Sequence, residues 1–273
     1  MSGGSTNSMR IGVAGAAGRM GQALVRAIAE QAGCVVAGGI EAKGNPAIGR
    51  DIGEAAGIGA LKAGIGDDAA ALFAAADAVL EFSVPAATLA HLPLAVQHKT
   101  AYVIGTTGFT PEQILEIEAA ARQTPVVFAP NMSVGITLLM AITEKVASIL
   151  GNDWDIEVLE MHHNKKIDAP SGTALGLGEA AAKGRGVDLK NVAQRVRDGH
   201  TGPRRPGDIG FAALRGGNVV GDHSVIFAAE HERIELTHRA AGREIYARGA
   251  VRAALWARAK KPGLYTMRDV LGL

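Results

Sequence analysis

Two imidazoles and two ammonium groups fall within five residues of the segment Glu160-Met161-His162-His163-Asn164-Lys165-Lys166, and the chain runs on at once through Ile167-Asp168-Ala169-Pro170-Ser171-Gly172-Thr173. An imidazole exchanges its proton near neutrality, and Lys166 adds a full positive charge. Ser171 has the residue type of a helix N-cap. The amides of Gly172 and Thr173 then lie in a first turn, before any intrahelical acceptor, where a carboxylate is well received. A segment of this kind suits a small dianion that is being reduced and needs a proton. Paired histidines also occur in metal sites, but the chain has neither H-E-x-x-H nor a cysteine cluster, so no metal is expected. The bland alternative is a solvated lysine loop, and the helix start argues against it.

A second cluster is built of glycine. Gly15-Ala16-Ala17-Gly18-Arg19-Met20-Gly21 reads G-x-x-G-x-x-G and follows a short apolar run. Gly15 permits the tight turn, Gly18 lets backbone approach a pyrophosphate at a helix N-terminus, and Gly21 permits close helix–strand packing. Arg19 places a charge beside the phosphates. Glu41 lies twenty residues after Gly21, at the tip of the next strand, where a carboxylate can bond the adenosine ribose hydroxyls. Glu41 repels a 2′-phosphate, Ala42 offers no guanidinium, and Lys43 is close enough to reach. Both NADH and NADPH are therefore expected as cofactors, with the balance toward NADH.

Both clusters need elements to hold them. Met9 to Ala14 reads as a buried strand, 21–31 as a helix, and 35–40 as a strand, the opening unit of a doubly wound sheet. The alternation continues with a helix capped at Asp67 or Asp68, a strand over 78–82, a helix to about His98, and a strand over 101–104. A helix begun by Thr110-Pro111 and a strand over 125–129 follow. The C-terminal ends of these strands carry Gly, Thr, Asn and Ser, where open parallel sheets bind ligands. Beyond them come a long apolar helix over 136–150, a strand over 155–161, a short helix from Ser171, and β-rich stretches over 209–239 without intervening helices. A last helix spans 245–259. The expected fold class is α/β: an N-terminal Rossmann-type doubly wound parallel sheet plus a C-terminal α+β domain with a mixed sheet. The expected boundaries are 9–132 and 241–273 for the dinucleotide-binding domain and 133–240 for a substrate-binding and oligomerisation domain. Closure is expected about crossings near Met132 and Gly242. Residues 1–8 read as a disordered leader.

Composition excludes other classes. A net charge of +1 provides no basic field for nucleic acid or a membrane surface. No apolar run reaches the length of a membrane helix, and the N-terminus lacks a signal-peptide apolar region. The lone Cys34 has no disulfide partner and reads as a buried small hydrophobe in a cytoplasmic protein.

The segment from His162 to Ala174 closely resembles the signature of the dihydrodipicolinate reductase family. The likeness extends to Gly18-Arg19-Met20-Gly21, Ile104-Gly105-Thr106-Thr107-Gly108, Asn131 with Ser133-Val134-Gly135, His200-Thr201-Gly202, Gly210-Phe211 and Met267-Arg268-Asp269-Val270-Leu271. It implies NAD(P)H-dependent reduction of 4-hydroxy-tetrahydrodipicolinate in lysine biosynthesis. It implies His162 as catalytic acid/base, Lys166 as a second proton donor, and His163, Gly172 and Thr173, beside Ser171, as binders of the substrate carboxylates. It also implies that Gly105, Thr106, Thr107, Ala129, Pro130, Asn131 and Met132 contact the cofactor near the nicotinamide, and that a mixed sheet assembles homotetramers. Two positions depart from the family pattern: Ala42 replaces a common Arg, and Met132 a common Phe. Another Rossmann dehydrogenase, a non-catalytic dinucleotide sensor and a metal hydrolase are the rival readings.

Overall fold

The computed structural model describes residues 8–273, so the expected leader lies outside the described residues except for Ser8. In chain order the elements are β1 (Met9–Ala14), α1 (Arg19–Glu30), β2 (Cys34–Ile40), α2 (Ile52–Ala55), β3 (Ile65–Gly66), α3 (Ala69–Ala75), β4 (Ala78–Glu81), α4 (Pro85–His98), β5 (Ala101–Ile104), α5 (Pro111–Ala121) and β6 (Pro125–Phe128). There follow α6 (Val134–Ile149), β7 (Asp155–His162), α7 (Gly172–Gly184), α8 (Leu189–Val192), β8 (Ala193–Gln194), β9 (Ile209–Arg215), β10 (Gly221–Ala228) and β11 (Arg233–Ala240). The chain closes with α9 (Glu244–Ala257), β12 (Gly263–Tyr265) and α10 (Met267–Leu271). Two compact units result: the chain up to Val134 together with Arg243–Gly272, and Gly135–Gly242.

The first unit is a seven-stranded sheet of order β12-β6-β5-β4-β1-β2-β3, parallel throughout. Its strands are near-continuous apolar runs because helices cover both faces. On one face, Leu24, Val25 and Ile28 of α1 pack with Ala247, Ala250, Ala253, Ala254 and Ala257 of α9. Alanine at these positions lets the two helices approach closely. On the other face, Phe73, Leu92, Tyr102 and Ile117 form a second core under α3, α4 and α5. The Thr110–Gln113 capping box with Pro111 fixes the start of α5. Strand order reverses at β1, which pairs with both β2 and β4. The crevice at the carboxyl ends of these strands is the position where such sheets bind ligands.

The second unit is a mixed sheet of order β11-β10-β7-β9-β8, with β7 and β9 parallel and β10 antiparallel to both of its neighbours. In β7 every second residue is buried. Ile156 and Val158 thus point into a core shared with Leu139 of α6 and Leu177 of α7, and the same alternation turns Glu160 and His162 inward.

Two expectations need correction. Cys34 is only partly buried, because it opens β2 at the sheet's rim. The helix after Ser171 is not short: it runs Gly172–Gly184, held by the buried stripe Ala174, Leu177 and Ala181. Sequence periodicity leaves β3, β8 and β12 unassigned, since two- and three-residue strands carry too little pattern to register. Among the described residues no helix is long and apolar enough to cross a membrane.

Candidate active site

In the second unit, β7 ends at His162 and α7 begins after Ser171, so the charged segment is the loop joining a sheet to a helix start. The expected cap forms: Ser171 Oγ accepts from the Ala174 amide at 3.1 Å. The first turn of α7 contains no acidic residue of its own, which suits a carboxylate at the Gly172 and Thr173 end. Ser171 itself is buried, and its hydroxyl is also bonded to His223 Nε2 at 3.1 Å. Its part is therefore to hold the helix start, while Gly172 is exposed and Thr173 half-exposed above it.

A buried carboxylate within the segment, to which sequence reasoning gave no role, organises this cluster. Glu160 meets His162 Nδ1 at 2.5 Å, takes both Arg215 guanidinium nitrogens at 2.9 and 2.8 Å, and accepts from the Ser171 amide at 3.2 Å. Although burial works in the other direction, Arg215 and then His162 hold the Glu160 carboxyl below its usual range. Arg215 also donates to the Asp168 carbonyl at 2.7 Å, and Asp168 pairs with Lys166 Nζ at 2.7 Å. His162, Ser171 and Lys166, neighbours in one segment of the sequence, thus belong to one bonded network. His163 is half-buried beside them, and its Nδ1 has no hydrogen-bond partner. Among the described residues no group of three or more potential metal ligands occurs.

His223 faces the His162 ring, with centroids 5.1 Å apart and planes at 75°. Burial first, and then the neighbouring His162, depresses the His223 imidazole from 6.5 to about 4. Between those values the unfolded chain binds the proton and the folded chain does not. The stabilising contribution is complete above the unfolded value and is lost as pH falls toward about 4. A depression of this size corresponds to about 3 kcal/mol. Urea unfolding of the wild type is expected to show a falling midpoint through this window. His223→Gln, which still can donate to Ser171, should flatten that fall; an unchanged pH slope would refute the assignment.

The first unit carries the glycine turn. Gly15 has φ +73°, a backbone that L side chains rarely adopt. A Cβ on Gly21 would lie 2.1 Å from the Gly15 carbonyl oxygen and 2.6 Å from that of Ala16, so only glycine allows α1 to start so close to the turn. Gly18 caps α1 without a side-chain bond, and the first turn of α1 has no acidic residue. This uncapped helix start, with Arg19 exposed beside it, fits a pyrophosphate. Glu41 follows β2 directly. Its Oε1 accepts from the Ala17 amide at 2.7 Å and its Oε2 from Asn45 Nδ2 at 3.0 Å, which fixes the carboxylate beside the turn. Ala16 is buried, Met20 half-buried, and Ala42 and Lys43 are exposed.

The other expected cofactor contacts follow β5 and β6, on loops at the same carboxyl edge of the sheet as the glycine turn. A Cβ on Gly105 would strike the Phe82 ring at 2.2 Å, so glycine lets the two loops touch. Thr106 is buried with its hydroxyl on Thr88 Oγ1 at 3.1 Å, whereas Thr107 is exposed. Ala129 and Met132 are buried, Pro130 is exposed, and Asn131 Oδ1 accepts from the Ser133 amide at 2.8 Å. Beneath these loops lies another residue the sequence did not flag. The fully buried Glu81 takes Tyr102 Oη and His91 Nδ1, each at 2.7 Å, and the Ser83 hydroxyl. Burial, reinforced by Glu81, raises the Tyr102 phenol well above its usual range.

Comparison with known proteins places these features in context. Residues 9–132 match the family model described as dihydrodipicolinate reductase, N-terminus, and residues 135–271 match that for the C-terminus. The 4-hydroxy-tetrahydrodipicolinate reductase of Sinorhizobium fredii is 56% identical over 270 residues, covering 98% of this chain and 99% of that protein. The enzyme of the same name from Allorhizobium ampelinum is 54% identical over 266 residues, covering 97% and 98%. The fold is similar to that of a dipicolinate-bound dihydrodipicolinate reductase from Paenisporosarcina, with TM-score 0.77, 22% identity and 96% and 98% of the two chains covered.

Proposed function

The chain belongs to the dihydrodipicolinate reductase family, and on that premise we propose that it reduces 4-hydroxy-tetrahydrodipicolinate to tetrahydrodipicolinate in lysine biosynthesis, with His162 and Lys166 as its proton-handling and anion-binding groups. The family is NAD(P)H-dependent, and a dinucleotide held by the first unit would supply the hydride that reduces the dehydrated ring at C4. The chain supplies the proton and the setting. Water leaves before reduction, as the hydroxyl of C4 and a proton of the adjacent ring carbon, and one further proton then balances the hydride. His162, with Nδ1 already engaged by Glu160, has Nε2 left to pass a proton to the charge that develops across the conjugated imine. Lys166 exchanges the Asp168 carboxylate for a substrate carboxylate and stands as a second proton source. His163, with its unpartnered Nδ1, and the amides of Gly172 and Thr173 receive the carboxylates, while Ser171 holds that helix start in place.

The observation that carries this reading is the network bonded through Glu160 and Arg215 that joins His162, the start of α7 and Lys166, at a helix whose own first turn has no acidic residue. On the dinucleotide side, Gly15, Ala16, Ala17, Gly18, Arg19 and Met20 cradle the pyrophosphate, and Glu41 binds the ribose. The loops at Gly105, Thr106 and Thr107, and at Ala129, Pro130, Asn131 and Met132, flank the nicotinamide. Glu41 without a neighbouring guanidinium supports use of both NADH and NADPH with NADH favoured. We further assign a cytoplasmic enzyme, with the first unit as dinucleotide domain and the second as substrate domain and homotetramer-forming sheet.

The test is oxidation of reduced nicotinamide on substrate freshly made by the upstream synthase. Turnover is expected, with kcat/KM higher for NADH than for NADPH; no turnover with either cofactor refutes the function, and a strong NADPH preference refutes the cofactor assignment. Lys166→Ala is expected to raise the substrate KM roughly tenfold, equivalent to about 1.4 kcal/mol, and to lower kcat as well, with the KM for NADH unmoved. Lys166→Arg should recover part of the lost affinity. Wild-type substrate KM in Lys166→Ala would remove this residue from the site.

A further inference from the structure

We propose that Glu160 is the positioning residue of this reductase: it fixes the His162 ring through Nδ1, leaves Nε2 as the atom that meets substrate, and supplies the negative charge that keeps the imidazole a proton donor. The inference rests on the role given to His162 above and extends it to residues to which that reading gives no part.

Three features of the geometry carry it. First, Glu160 is nearly inaccessible, with its side chain 1% exposed, and its bonds to Arg215, the Ser171 amide and His162 Nδ1 leave it little freedom to rotate. A carboxylate fixed in this way against one imidazole nitrogen determines which nitrogen carries the transferable proton. Second, Nε2 makes no hydrogen bond among the described residues. Third, the strand facing it has glycine at the critical place: a Cβ on Gly221 would lie 3.1 Å from His162 Nε2. Any larger residue at 221 would press on the working nitrogen or turn the ring, so β10 uncovers the atom that β7 aims.

The charges around His162 come from every neighbouring element. Glu160 stands on β7, Arg215 closes β9, and Lys166 and Asp168 lie on the loop. His223 faces the ring from β10, and His238 pairs with His223 from β11. His238, like His223, is pushed down by burial, so both stay neutral near pH 7 and add no positive charge. Glu160 is thus the buried anion bonded directly to the ring, and Arg215 restrains its influence by sharing both oxygens.

That balance predicts opposite effects for two substitutions. Glu160→Gln keeps the shape and an acceptor for Ser171 but removes the charge. The ring-proton signal of His162 should then change with pH over a lower range than in the wild type, read by NMR. The alkaline limb of the kcat profile should move in the same direction, and kcat near neutral pH should fall about 10- to 100-fold, with substrate KM changed less than about threefold, a shift under 0.7 kcal/mol. Arg215→Met removes the competing cation, and both the titration and the alkaline limb should move to higher pH. A purely structural role predicts lower Tm in both variants without opposed shifts. Should Glu160→Gln fail to fold, the Arg215→Met titration decides alone: a shift upward supports the proposal, and no shift or a downward shift overturns it. If His162→Gln abolishes turnover while these variants keep the wild-type titration, the positioning inference fails and the proposed function stands. If His162→Gln retains wild-type kcat, the role of His162 itself fails.

Discussion

Replacing His162 with glutamine is expected to lower kcat by about 10²–10⁴-fold, the contribution of a single positioned general acid, with the KM for NADH unchanged. Glutamine is close to histidine in size, and its amide can still donate to Glu160, so the network around Ser171 and Arg215 should survive. What it cannot do is release a proton to the ring being reduced. The loss should therefore appear in turnover rather than in folding or dinucleotide affinity, since the proposed dinucleotide site is the other unit's glycine turn. Steady-state kinetics on freshly generated substrate, paired with a thermal melt, separates these cases. Near-wild-type kcat would transfer the proton role to Lys166. A collapse of Tm would mark His162 as part of the fold rather than of the chemistry.

Gly21→Ala is expected to damage the cofactor site and the first unit together. The added methyl would have to occupy space 2.1 Å from one backbone carbonyl oxygen and 2.6 Å from another, and neither atom belongs to a flexible side chain that could swing aside. Either α1 retreats from the turn or the turn opens. Overpacking of this kind costs about 1–3 kcal/mol, or roughly 3–10 °C in Tm for a domain of this size. Displacing the helix start also moves the amides proposed to receive the pyrophosphate, and the Kd for NADH should rise roughly tenfold or more, beyond about 1.4 kcal/mol. Calorimetric titration with NADH and a melt measure the two effects; an alanine variant with wild-type values for both would show that close packing at Gly21 is unimportant.

Much of this was legible in the chain. The parallel sheet followed from apolar runs alternating with helical spacing, and the caps at Asp68, Thr110 and Ser171 lay where residue types placed them. The inward face of β7 was also readable, since Ile156 and Val158 fix a period of two that carries Glu160 and His162 with them. The alternation alone gives Glu160 no role, because the partners that define it include Arg215, 55 residues away. Glu81 was hidden in the same way, at the end of a strand whose other residues are apolar.

What the sequence by itself determined is therefore local: where strands and helices start, where glycine opens a turn, and which short segment concentrates imidazole and ammonium groups. Only the tertiary structure decided how those groups act, because Arg215 comes to Glu160 from 55 residues away and His223 to Ser171 from 52. Spacing along a strand or helix is imposed by backbone geometry and repeats every two or three to four residues. The pairing of β7 with β9 and β10 is imposed by burial of a shared core, and no local period encodes which distant side chain that register brings to a buried charge.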